Sequence, residues 1–260
     1  RSCGAPRVDL GVGRIMEKET DECPLPGLSP FSEAQTELFF GREVAIRDLL
    51  GLIEQACEGE RRWVQIEGPS GAGKSSLIQA GLLPRLNGSA SRGSPVWLVV
   101  SLRPSSDPLR SLASALAAAF DEADLMGGAA RLEASLRKGH GALLEMAKAR
   151  TPPGCHLLLV IEQLEELFTI GLADCGLVDE LLSAALLAPD SPLRLLTTLR
   201  SDFFHGLEHA EKLTTMLNQT ARYHLGPMHE GALAQVIQGM ARRSGLRLAE
   251  GLPERMVRDA

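Results

Sequence analysis

The segment Gly68-Pro69-Ser70-Gly71-Ala72-Gly73-Lys74-Ser75 has the residue types and spacing of a loop that cradles a polyphosphate, G-x-x-x-x-G-K-[ST]. Glycines there let successive main-chain N–H groups turn inward and let a phosphate come close to the backbone. Lys74 can reach the β- and γ-phosphates as a point charge, and the Ser75 hydroxyl can sit on Mg²⁺. Such a loop must open a helix, whose first N–H groups and dipole favour an anion. Arg62–Glu67 alternates and stops at Gly68, and Lys74–Leu83 has helical character, so the context is the required one. The expectation is a site for ATP or ADP with Mg²⁺. The bland alternative is an ordinary glycine-rich turn.

Acids must help to hold the metal and polarise water. Leu157-Leu-Leu-Val-Ile161 is a continuous apolar run that ends at Glu162, with Glu165 and Glu166 close behind. Glu162 is expected in the Mg²⁺ shell and Glu165 to orient the attacking water. Gln163 stands where many P-loop enzymes carry the base, so Glu166 remains a second candidate. Both acids also suit the solvated first turn of a helix. Leu193–Leu199 reads as a strand ending at Arg200, where ligands gather in a parallel sheet. Arg200 can meet a γ-phosphate there, and Thr197 or Thr198 can bond the water. An ion pair of Arg200 with Asp202 is the plainer reading. Arg103–Leu109 can line the cleft or simply shape a turn. His205 and His209 lack a third ligand, which favours a surface helix over zinc.

Stepping strands must position these groups. Val96–Leu102 is a second strand, Leu157–Ile161 a third, Leu193–Leu199 a fourth and Arg222–Leu225 a short fifth. Between them helices are predicted over Ser111–Glu122, Ala130–Ala149, Val178–Leu187 and Ser201–Gln219, after a first helix beyond Gly41. The alternation implies βαβ units, hence an α/β fold: a three-layer, parallel-sheet P-loop NTPase of the ASCE type. From Glu230 the pattern is helical only, the start of an appended helical unit. The expected division is a linker over 1–30, the NTPase domain over 31–226 and the beginning of a helical lid over 227–260.

The 260 residues are 44% hydrophobic but only 4% aromatic, so the core must rest on Leu, Val, Ile and Ala. A net charge of −6 argues against a nucleic-acid surface driven by bulk charge. The five cysteines are scattered without a Cys-x-x-Cys pair, which argues against a disulfide framework or structural zinc and fits a reducing, cytoplasmic setting. No apolar run approaches the ~18–20 residues that cross a bilayer. The chain opens at Arg1 without a signal-peptide pattern and closes inside a helical stretch, so it reads as a fragment of a longer protein.

Four segments together resemble the novel STAND NTPase 1 domain, a group of signal-transduction ATPases with numerous domains. They are Pro26–Phe31 with Leu38-Phe-Phe-Gly-Arg-Glu43, then Gly68–Ser76, Val160–Thr169 and Leu196–Phe203. The resemblance runs from Pro24 to the end of the chain. It implies that Phe40, Gly41 and Arg42 lie near the adenine, that Arg200 acts as a sensor, and that Pro227 sits near the base as Tyr223–Met228 leads into a lid. It also implies a switch: ADP holds a closed form, ATP permits homo-oligomerisation, and effector and sensor domains lie outside this segment. Where this chain has Glu162 the family usually has Asp, and where it has Leu164 the family has Phe. A slow Mg²⁺-dependent ATPase is the leading reading. A scaffold that holds ADP without turnover is the rival. A nucleotide kinase fits the loop but not the single Tyr, and an ABC-type ATPase lacks its Leu-Ser-Gly-Gly-Gln signature.

Overall fold

A computed structural model describes Gly27 and residues 29–59, 61–88, 95–120, 125–169, 174–203 and 210–259. Helix α1 (Glu43–Glu58) precedes strand β1 (Trp63–Gly68). Helix α2 (Lys74–Ser76) then runs through a π-helical segment, Leu77–Leu82, into α3 (Leu83–Gly88). Strand β2 (Val96–Leu102) is followed by α4 (Pro108–Ala119), α5 (Leu125–Leu136) and α6 (Ala142–Arg150). Strand β3 (Cys155–Ile161) leads to α7 (Glu166–Thr169) and α8 (Cys175–Leu187), and β4 (Leu193–Arg200) to α9 (Glu211–Met216). Strand β5 (Ala221–His224) is followed by α10 (Glu230–Arg243) and α11 (Leu252–Arg258).

The sheet order is β2-β3-β4-β1-β5, and every pairing is parallel. The path from β1 to β2 therefore runs one way along the sheet and every later connection runs the other. Right-handed crossovers then put the first connection on one face and the rest on the opposite face. The packing agrees. Val64, Ile66, Leu158, Val160 and Leu196 face α1 and the helical run after β1. Leu157, Leu159, Ile161, Leu195 and Leu199 face α4, α5, α6, α8 and α9. The strictly alternating sides of β3 explain its unbroken apolar run, since both faces are covered. Each fully buried Leu there contributes roughly 1.5–3 kcal/mol of transfer free energy.

Element ends differ from the sequence expectation where local chemistry intervenes. The helix expected over Ala130–Ala149 is two, because the chain turns at Gly139, whose φ of +144° lies where L side chains rarely go. Helix α4 begins earlier than Ser111: Asp107 accepts from the Arg110 N–H at 3.0 Å as N-cap, with Pro108 at the first turn. The π segment precedes Pro84, which lacks a ladder donor and whose ring would crowd the Ala80 carbonyl in a regular helix. Of the helix expected over Ser201–Gln219, residues 204–209 lie outside the described residues, and the helical parts are a turn at 201–203, α9 and a 3₁₀ turn at Leu217–Gln219. His205 and His209 fall outside with them. Among the described residues, no helix is long and apolar enough to cross a membrane.

Candidate functional site

Parallel pairing brings the carboxyl ends of all five strands to one edge, with Gly68 opposite Arg200 and Leu102 opposite Ile161. Gly68 closes β1 where space is tightest. The Leu225 N–H donates to the Glu67 carbonyl at 2.7 Å, and a Cβ on Gly68 would stand 2.5 Å from the Leu225 carbonyl oxygen. Gly71 and Gly73 take φ of +78° and +89°, and a Cβ at either would meet nothing within 4 Å. The first glycine answers a close approach. The other two answer a left-handed backbone around an open concavity. Ser70 and Ala72 complete the loop, and the Ala72 N–H donates to the Pro69 carbonyl at 3.3 Å.

Lys74 is only 8% exposed, and its Nζ donates to the Gly68 and Pro69 carbonyls at 2.8 Å each. Burial lowers its pKa, the Glu165 charge raises it, and Arg200 lowers it again. Ser75 is half-buried. Ser76 Oγ accepts the Phe31 N–H at 3.1 Å, which ties the segment before α1 to the loop.

The three acids have different surroundings. Gln163 adopts a φ of +54°, and its N–H donates to Thr198 Oγ1 at 2.8 Å, so the chain bends sharply after β3. Glu162, before the bend, is 8% exposed and its Oε1 accepts from Gln79 Nε2 at 2.5 Å. Glu165, beyond it, is 3% exposed; the Arg200 N–H reaches its Oε2 at 3.4 Å, and its Oε1 has no hydrogen-bond partner among the described residues. Burial pushes the Glu165 carboxyl above its ordinary pKa, and its own backbone N–H, the Arg200 N–H and the Lys74 charge partly offset this. Glu166 is taken by Arg103 in an ion pair.

Thr197 and Thr198 are fully enclosed. Thr197 Oγ1 accepts from Trp63 Nε1 at 2.8 Å, and Thr198 Oγ1 accepts from the Gln163 N–H and so braces the bend. Arg200 Nη2 lies 2.7 Å from Asp202 Oδ2 and its guanidinium stacks 4.7 Å from the Phe203 ring, the plainer of the two expected arrangements. Among the described residues, no three His, Cys, Asp or Glu converge as a protein metal cage. Mg²⁺ in nucleotide sites needs no such cage, since one carboxylate, waters and phosphate oxygens suffice. Glu162 and Ser75, beside an open glycine loop, fit that donor set.

Phe40, Gly41, Arg42 and Pro227 line one cavity of about 690 Å³, together with Tyr223 and Gly239. Two glycines let α10 close its wall. A Cβ on Gly239 would strike the Phe40 ring at 2.6 Å, and one on Gly41 would stand 2.8 Å from the Ala232 carbonyl oxygen. Arg42 Nη2 donates to the Ala72 carbonyl at 2.9 Å and to the Gly226 carbonyl at 3.0 Å, so it bridges the glycine loop and the exit from β5. Tyr223, Gly239 and Gln79 carried no sequence signal of their own, because their neighbours come from distant segments.

The sequence profile of the family described as Novel STAND NTPase 1 matches residues 24–260. The chain belongs to that family. Membership makes it a STAND-type P-loop NTPase domain and implies a nucleotide-binding site. No curated protein matches it. Solved structures of similar fold include a Walker-type ATPase of Pyrococcus abyssi, at 18% identity and a TM-score of 0.54, covering 89% of this chain and 65% of that one. The Aeropyrum pernix ORC2 protein, in ADPNP and ADP complexes, gives 15% and 0.51, covering 84% and 55%. The Aeropyrum pernix ORC1 protein in complex with DNA gives 16% and 0.53, covering 79% and 50%. At these identities the likeness is one of fold, and the STAND domain spans between half and about two thirds of those chains.

Proposed function

We infer that this STAND domain binds ATP and ADP with Mg²⁺ and acts as the nucleotide switch of a larger signalling or defence protein. The observation that carries the reading is a buried Lys74 under an open glycine loop together with Glu165, whose charge acts on Lys74 and whose buried Oε1 has no hydrogen-bond partner among the described residues. Gly68, Ser70, Gly71, Ala72, Gly73, Lys74, Ser75 and Ser76 hold the phosphates. Phe40, Gly41, Arg42 and Pro227 hold the base. Ser75 and Glu162 hold Mg²⁺, which when bound neutralises phosphate charge.

Glu165 takes the proton of the attacking water and Arg200, once it leaves Asp202, reads the γ-phosphate. The segment over 227–260 is the lid on the domain of 31–226, and its contact with Gly41 and Phe40 lets the bound base set its position. ATP in place of ADP then releases a surface for homo-oligomerisation, with sensor and effector domains lying elsewhere in the full protein. The similarity in fold to an ORC2 protein solved with ADPNP and ADP supports the choice of nucleotide.

The rival is a scaffold that holds ADP without turnover. It draws support from Glu162 in place of Asp and from Arg200 engaged by Asp202. Phosphate release from ATP, together with solution mass in ADP and in a non-hydrolysable ATP analogue, separates them. Release that Glu165→Gln slows, with a larger mass in the ATP analogue, supports the switch. No release and one mass in both nucleotides support the scaffold.

A further inference from the structure

From Leu77 to Leu83 every residue but one is buried, and six of the seven are apolar or glycine. The exception is Gln79, half-buried inside the π-helical segment. A widened turn of this kind commonly marks a functional site. Its amide nitrogen donates to Glu162 Oε1 at 2.5 Å, across 83 residues of sequence. The Glu162 N–H in turn donates to the Leu102 carbonyl at 2.9 Å, which fixes the backbone that carries the acid.

A carboxylate on a flexible two-carbon stem samples several rotamers, and each one lost on binding a metal costs free energy. A donor locked onto one oxygen removes that freedom and leaves the other oxygen to accept. Among the described residues, Glu162 Oε2 takes no protein hydrogen bond. Such outer partners set the orientation and basicity of metal-binding carboxylates. Glu162 is also one methylene longer than the acid the family resemblance leads one to expect, so it needs more restraint than Asp would.

We propose that Gln79 is a positioning residue: its amide holds Glu162 Oε1 so that Oε2 faces the Mg²⁺ of the bound nucleotide. The proposal rests on the nucleotide reading above and adds to it a specific dependence of metal affinity on one side chain outside the phosphate loop. A purely structural role for Gln79 would alter stability and nucleotide binding alike, with or without the metal.

The experiment is calorimetric titration of ADP into the whole chain, with Mg²⁺ and with EDTA. It is run on the wild type, Gln79→Ala, Gln79→Met (which keeps the volume should the alanine variant not fold), Glu162→Asp and the Gln79→Met/Glu162→Asp pair. The expected result is a gain in affinity from Mg²⁺ that falls about tenfold in either Gln79 variant, the usual scale for an outer partner of a metal ligand, while affinity in EDTA stays within twofold. In the Glu162→Asp background the Gln79 substitution should change that gain less than twofold, because the shorter acid no longer reaches the amide. Equal losses with and without Mg²⁺ would overturn the proposal and leave nucleotide binding intact. A wild type whose ADP affinity ignores Mg²⁺ would overturn it too. A wild type that binds no ADP at all would sink both readings.

Discussion

The Arg103 guanidinium closes on the Glu166 carboxylate, with Nη2 2.5 Å from Oε1 and Nε 2.9 Å from Oε2. Its neighbour Glu165 is buried instead, within reach of the Lys74 charge and with one oxygen that has no hydrogen-bond partner among the described residues. Two adjacent acids of the same type thus stand in opposite environments: one neutralised at the rim, one desolvated and held by backbone N–H groups alone, its own and that of Arg200. A base must be free to accept a proton, and Glu165 alone of the pair is free.

Glu165→Gln should therefore slow ATP hydrolysis at least tenfold with ADP affinity unchanged, on the scale of general-base effects. Glu166→Gln should leave the rate within about threefold, since a rim ion pair contributes only ~0–1 kcal/mol. Phosphate-release rates measure both. A reversed ranking would reassign the base.

Stability should depend on pH through the same group. The folded pKa of Glu165 is raised, so between the ordinary Glu value of ~4.3 and the raised one the folded form binds more protons, and stability falls as pH rises. Gln does not titrate. Urea denaturation of Glu165→Gln should match the wild type near pH 4 and exceed it at pH 7, because the amide carries no charge to desolvate. A variant less stable at pH 7 would show that the carboxylate is held favourably.

Glycine substitutions should separate space from backbone. Gly68→Ala forces a methyl against the Leu225 carbonyl and should cost about 2 kcal/mol by denaturant melting, as overpacking does. Gly73→Ala meets open space but keeps a φ of +89°, so its cost should be about 1–2 kcal/mol, with a larger loss in nucleotide affinity than Gly68→Ala shows.

Arg42 offers a test of the link between the loop and the β5 exit. Its Nη2 alone serves two carbonyls, from Ala72 and Gly226, and the Lys stem, which is shorter than the Arg side chain, does not bring its nitrogen to that same point. Arg42→Lys should weaken ADP binding roughly five- to tenfold at ~1 kcal/mol per lost bond. It should also speed amide exchange at Leu225 and Gly226. Slower or unchanged exchange would mean that the bridge holds nothing in place.

Sequence made some of these features legible and hid others for physical reasons. Leu157–Ile161 announced a doubly covered strand because burial on both faces erases alternation, and the glycine spacing of 68–73 announced the loop because the backbone needs it. The break at Gly139 was hidden in an Ala- and Leu-rich stretch whose helical period continues on both sides. Arg194 sits inside the apolar run of β4 yet is buried, its guanidinium spent on the Ala56, Cys57, Ser191 and Leu193 carbonyls. Asp179 caps α9 through the Lys212 and Leu213 N–H groups, at 3.0 and 2.8 Å, from more than thirty residues away. Contacts of that range, like those of Gln79 and Arg103, leave no local pattern to read.

The phosphate cradle is tested most directly by titrating ADP with Mg²⁺ into folded Lys74→Ala protein by calorimetry. Removing the one ammonium group under the loop should abolish measurable binding while circular dichroism shows the fold retained. Affinity equal to that of the wild type would mean that the nucleotide, if it binds, does not bind at Gly68–Ser75.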